Sequence, residues 1–198
     1  MGDDRHHHLC IHPGARTPDV DRKTTVVHWR PTSGRDRLRV TVVQALEQAM
    51  ACLPPDDVVA ALESALYLKR ITRNEFDRLI RDAPRRLRSV LAEAEPGAQS
   101  GPETHVRLRL RRAGYRVQPQ VFIPGVGHVD NLIEDVLALE TDGRAYHAET
   151  FEEDRRRDLG TEWIGIRTLR IPANYVFTEW EWVSETVARM VRDGLANK

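Results

Sequence analysis

Between Asp130 and His147 the chain reads D-N-L-I-E-D-V-L-A-L-E-T-D-G-R-A-Y-H: an isolated aspartate, an apolar run, two further carboxylates, a glycine turn and a histidine. Read as a strand, Val136 to Asp142 puts Val136, Ala138, Glu140 and Asp142 on one face, so two carboxylates lie side by side at its end. A strand that is apolar along its length and acidic only at its mouth reads as the floor of a site rather than a solvated edge. Such a group suits a hard divalent cation, Mg2+ or Mn2+, which binds through one or two carboxylates and keeps several waters. Phosphodiester hydrolysis is the chemistry that follows. Asp130, Glu140 and Asp142 are the expected metal ligands and His147 the proton-transfer residue. Glu103 lends support from a preceding helix, and Arg144 and Arg155 are the cations for the phosphate.

The bulk properties permit this reading. With 198 residues, 40% hydrophobic and 30% charged, the chain can bury one moderate core, or a compact domain with a smaller one appended. No apolar run approaches the roughly 20 residues that a membrane helix requires, and no secretory signal is recognisable, so a cytoplasmic protein is expected. Only two cysteines occur, Cys10 and Cys52, and they are read as free thiols. Formal net charge is zero, so attraction to DNA must come from local patches rather than a global field.

The elements that must position the acidic residues follow from periodicity. Residues 1–23 lack any and are expected to be disordered. They carry His6, His7, His8, Cys10 and His12, but without the second ligand pair of a closed zinc site. Thr24 to Arg30 is β-branched and aromatic, hence a strand. Thr41 with Gln44, and Thr72 with Glu75, have capping-box spacing in front of apolar helical stripes, and Pro54-Pro55 separates two helices. A short helix follows Pro84. These make a small, mostly helical module over residues 24–96. The stretch E-P-G-A-Q-S-G-P at 95–102 is the one composition break and marks the expected boundary.

Residues 100–198 have a different character. A helix over Glu103 to Ala113 is followed by strands at Val117 to Ile123, His128 to Ile133 and Val136 to Asp142. A charged helix from Phe151 to Thr161, a strand from Ile166 to Ile171 and a final helix capped by Thr178 and Glu181 complete the order α-β-β-β-α-β-α. Short turns make the first three strands antiparallel, and the helix before the fourth makes a parallel crossover. The fold class is therefore α/β (mixed α+β): a mixed sheet flanked by helices, with the acidic strand end at an exposed mouth. Local alternatives stand beside the functional assignments. Ser100 to Glu103 is itself capping-box spacing, Asp142-Gly143 is a common turn pair, and Asp154 to Asp158 reads as a solvated helix face.

The segments H-V-D at 128–130, L-E-T-D-G-R-A-Y-H at 139–147 and F-E-E-D-R-R-R-D at 151–158 resemble the Vsr-like endonuclease domain of the PD-(D/E)XK superfamily, in the branch found in high-GC bacteria. The resemblance spans Ser100 to Val191. It implies a restriction-endonuclease-like sheet, metal binding by Asp130 and Glu140, and support from Glu103. T-D-G-R-A-Y-H is similar to a segment of the very-short-patch mismatch endonucleases, which places His147 on a catalytic histidine. Two departures are visible. The superfamily's E-x-K would put a lysine where Asp142 stands, and the structural zinc ligands of the mismatch enzymes have no matching set, so mismatch specificity is not implied. Residues 24–96 resemble the degenerate region that precedes this domain in relatives, which in fuller versions is similar to abortive-infection type IV antitoxins with a winged-helix start; no counterpart of that winged helix is expected in this sequence.

Together these readings imply a metal-dependent DNA endonuclease-like protein acting in DNA repair or phage defence. A catalytically inactive DNA-binding or antitoxin-like regulator that keeps the nuclease fold is the alternative, and a partner-docking protein acting through its helical half is a third reading.

Overall fold

A computed structural model describes residues 7–16, 18–31, 40–142 and 151–196. The chain is mixed α/β, with a four-stranded mixed sheet, a two-stranded parallel sheet and helices around them. Among the described residues, no helix is long and apolar enough to cross a membrane.

The N-terminal part begins with β1 (His7–Ile11), which pairs in parallel with β2 (Thr25–Trp29). At His7–Ile11 this corrects the expectation of disorder: the pairing is long-range, and only Ile11 in H-H-L-C-I signals a strand. Helix α1 (Val42–Cys52) starts at a capping box in which the Thr41 hydroxyl accepts from the Gln44 amide and Gln44 returns the contact to the Thr41 amide. Helix α2 (Pro55–Tyr67) has Pro55 in its first turn, where no amide donor is needed. Helix α3 (Arg73–Arg81) repeats the capping box through Thr72 and Glu75. A 3-10 turn (Arg85–Leu87) and α4 (Arg88–Leu91) complete a cluster built on Val59, Leu62, Phe76, Leu79, Leu87 and Leu91.

Helix α5 (Gly101–Arg112) belongs to both halves of the chain. Its Leu108 packs into the helical cluster, whereas Val106 and Leu110 pack against the large sheet. Arg107 and Glu63 (α2), both fully buried, form an ion pair at 2.5 Å. The spare capacity of Glu63 is filled by the Glu95 amide at 2.8 Å and the Thr104 hydroxyl at 2.7 Å. A charge pair that deep persists only with its lone pairs satisfied. The composition break at 95–102 is therefore a bend in the chain across which the halves remain fastened.

The large sheet has the order β3-β4-β5-β6, with β3 (Val117–Ile123), β4 (Gly127–Ile133) and β5 (Leu137–Asp142) antiparallel and β6 (Arg167–Pro172) parallel to β5. Helix α6 (Phe151–Trp163) makes the crossover, as the order of elements requires. Residues 134–136 join β4 to β5; Glu134 and Asp135, both with positive φ, are the central pair of a turn closed by the Val136 amide on the Ile133 carbonyl at 3.0 Å, the primed geometry whose twist matches a hairpin. The one-turn α7 (Tyr175–Thr178) and then α8 (Trp180–Ala196) follow. Here too the sequence expectation is corrected. The Thr178 hydroxyl donates to the Asn174 carbonyl at the end of α7 instead of capping the last helix.

Two apolar layers cover the sheet. Val106 and Leu110 of α5 with Val183, Val187 and Val191 of α8 pack on one side, against Ile133, Leu137 and Leu139. Ile123, Val126, Val129, Leu132 and Ala138 form the other cluster, next to α6. Val136 is a turn residue packed on the α8 side, so it does not share a face with Ala138, contrary to the alternation expected from the sequence.

Candidate functional site: an acidic fork in the sheet

The β4–β5 ladder runs Ile133↔Leu137, Leu132↔Ala138 and Asn131↔Leu139, and then stops. Beyond that point β4 remains paired with β3 and β5 with β6, so the sheet forks. The Asp130 side chain fills the opening. Its Oδ2 accepts from the Thr141 amide at 2.9 Å and the Thr141 hydroxyl at 3.3 Å, taking a contact that a backbone carbonyl would make in a continued ladder. On the other flank of β4, Gln120 has φ +51°, and the β3–β4 register skips its pairing with Asp130. A non-glycine residue in the left-handed region is strained, and such strain concentrates at functional sites.

Three more carboxylates approach this notch. Glu140, 8% exposed, comes from β5 and is held on both oxygens, by Arg157 of α6 at 2.9 Å and by Arg170 of β6 at 3.1 Å. Arg157 also donates to the His128 carbonyl, which ties α6 to the opposite prong of the fork. Glu103, 7% exposed, comes from the first turn of α5. Its Oε2 accepts from the Gln99 amide and the Gln120 side-chain amide, each at 2.9 Å. Ser100 does cap α5, but the return contact of Glu103 lands on Gln99, one residue before the cap. Asp142 is exposed at the end of β5.

Electrostatics links these groups into one cluster. Burial, and then the Asp130 charge, raise the Glu103 pKa above the ordinary carboxylate range despite its hydrogen bonds. Asp130 is raised by burial and by Asp142, against the opposing pull of Thr141 and Arg157. Glu140 is raised by burial and by Asp130 and Asp142, with Arg157 and Arg170 opposing. Asp130 is thus the carboxylate common to both buried glutamates. Partly desolvated carboxylates, each raised first by burial and also by a neighbouring carboxylate charge, mark a notch with negative charge, the pattern of a proton- or cation-binding site.

The donor set is oxygen throughout, which fits Mg2+ or Mn2+. Among the described residues the Asp130, Glu140 and Asp142 carboxylates do not all come within 4.8 Å of one another, but an ion that keeps several waters needs only one or two of them. Arg155 lies exposed on α6, three residues C-terminal to Glu152 in sequence. Arg144 and His147 lie outside the described residues.

Sequence reasoning missed Arg157 and Arg170, because their approach to Glu140 depends on where the crossover helix docks and on the β5–β6 register. It also missed the His105–Asp57 pair at 2.8 Å, which lines a cleft of about 670 Å³ between α2 and α5. Burial holds the His105 pKa below its ordinary value against the pull of Asp57. Among the described residues, the group of three His, Cys, Asp or Glu side chains whose ligand atoms all lie within 4.8 Å of one another is His8, His28 and Cys52, a set not foreseen from the N-terminal His and Cys run. No family model, curated protein or solved structure matches the chain.

Proposed function

We propose that the protein is a metal-dependent, DNA endonuclease-like phosphodiesterase whose site is the acidic fork. The charge coupling of Asp130 with Glu103, Glu140 and Asp142 beside the opening where β4 and β5 part, all three buried members having raised pKa values, carries this reading. Asp130 and Glu140 are the residues to hold Mg2+ or Mn2+, with Asp142 at the rim. When bound, the ion supplies charge neutralisation on the phosphoryl group and lowers the pKa of a coordinated water. Glu103 acts on Asp130 through its charge and holds the Gln120 side chain on the neighbouring strand, and Arg157 and Arg170 fix Glu140. Arg144 and Arg155 are assigned to the DNA backbone and His147 to proton transfer. The resemblance of residues 100–191 to Vsr-like nucleases supports the same chemistry, and Arg157 and Arg170 place cations beside Glu140 although Asp142 stands where a lysine is usual.

One observation favours the second reading, a DNA-binding regulator without activity: both Glu140 oxygens are already engaged by arginines. Incubation with supercoiled and single-stranded DNA in Mg2+ or Mn2+ separates the two. Cleavage by the wild type that falls to background in Asp130→Ala and Glu140→Ala supports the enzyme. Salt-sensitive binding without cleavage supports the regulator, and equal cleavage by all three proteins refutes the assignment of the fork.

A further inference from the structure

The two-stranded β1–β2 sheet poses a physical problem. None of its residues is buried, and none belongs to a hydrophobic cluster. A lone two-stranded sheet is marginal in water, and a parallel pair lacks the tight hairpin that would hold an antiparallel one together. Where β1, β2 and the end of α1 meet, the side chains are those that bind a borderline-soft cation. The His8 and His28 rings stack with centroids 5.2 Å apart, bringing His8 Nδ1 to 2.9 Å from His28 Nε2. Cys52 Sγ lies 3.5 Å from the same His28 nitrogen. All three ligand atoms fall within 4.8 Å of one another.

We propose that His8, His28 and Cys52 form a Zn2+ site that fastens the β1–β2 sheet to α1. Zinc–nitrogen bonds of about 2.0–2.1 Å and a zinc–sulfur bond of about 2.3 Å, set at tetrahedral angles, need ligand atoms roughly 3.3 to 3.6 Å apart. The observed 2.9 Å and 3.5 Å are within a few tenths of an ångström of that. Two imidazoles and a thiolate are a zinc donor set and a poor one for Mg2+, so this site is chemically distinct from the fork. Binding converts the Cys52 thiol to a thiolate and releases its proton to solvent, while both imidazoles donate lone pairs as neutral rings. Cys52 and His8 are exposed, so solvent can supply a fourth ligand. Cys10 lies on β1 two residues from His8 and opposite His28 in register, but it is not among the converging atoms.

Cobalt(II), a spectroscopic stand-in for zinc, tests the site in the full chain. The expected result is one equivalent bound with a thiolate-to-cobalt charge-transfer band and the intense visible bands of tetrahedral coordination, both erased by added Zn2+. Cys52→Ser removes the charge-transfer band, and His28→Ala weakens zinc affinity by more than about tenfold. Cys10→Ser and His7→Ala leave the spectrum intact. Zinc also slows hydrogen exchange at the His7 and Arg30 amides, which bond to the Thr24 and Ile11 carbonyls across the sheet ends. A Cys52→Ser protein with the wild-type spectrum and stoichiometry, or a wild-type spectrum without the charge-transfer band, overturns the proposal and leaves only adventitious binding by the histidine run. Cys52 is exposed at the helix end, so metal-free Cys52→Ser keeps the circular dichroism of metal-free wild type.

Discussion

At the scale of single residues, the acidic fork makes the metal-free protein pay for its own site. Glu103, Asp130 and Glu140 have raised pKa values, so their stability contribution is complete below the ordinary carboxylate range of about pH 4. It is lost as pH rises through the raised values. Glu103→Gln keeps an oxygen to accept from Gln99 and removes the charge. Its melting temperature, relative to wild type in a chelator, should therefore improve between pH 4.5 and neutrality, and a difference independent of pH would contradict the electrostatic assignment. The same substitution, acting through Asp130, should lower metal-dependent cleavage by roughly 10- to 100-fold. That Asp130 and Glu140 belong together was legible in the sequence because a short antiparallel turn fixes their register. The arginines on Glu140 were not. Arg157 sits in a charge run that reads as solvated, and only the docking of α6 turns it inward.

At the scale of elements, the local signals were the legible ones. Both capping boxes, at Thr41 and Thr72, are formed as their spacing indicates, since every atom involved lies within one turn. Thr178 with Glu181 has similar spacing, yet the one-turn α7 claims Thr178 first. Strand β1 was illegible because its partner lies far along the chain and its sequence carries little β preference. Two predictions belong here. Glu63→Ala leaves the buried Arg107 with only the more distant Glu95 carboxylate at 3.6 Å and should destabilise by about 3 kcal/mol, as measured by urea unfolding. Gly194→Ala should also destabilise, although alanine is the better helix former by about 1 kcal/mol. A Cβ there would lie 2.9 Å from Val136 Cβ, and overpacking costs typically 1–3 kcal/mol. An unchanged or higher melting temperature for Gly194→Ala would mean that α8 shifts freely over β5.

At the scale of the molecule, α5 joins a helical cluster to the four-stranded mixed sheet. Leu108 sits in one core and Val106 and Leu110 in the other, with the Glu63–Arg107 pair between them. The sequence break at 95–102 reads as a linker because composition records the bend and is blind to the packing across it. The two halves should therefore unfold in one transition by every probe, and two separated transitions would show that α5 does not couple them. Whether the fork holds a divalent ion is read most directly by Mn2+ binding followed by electron paramagnetic resonance. Manganese prefers oxygen donors, so Cys52→Ser should bind as the wild type does, whereas Asp130→Ala should lose the site. Manganese binding by Asp130→Ala equal to that of the wild type would contradict the assignment of the acidic fork as the metal centre.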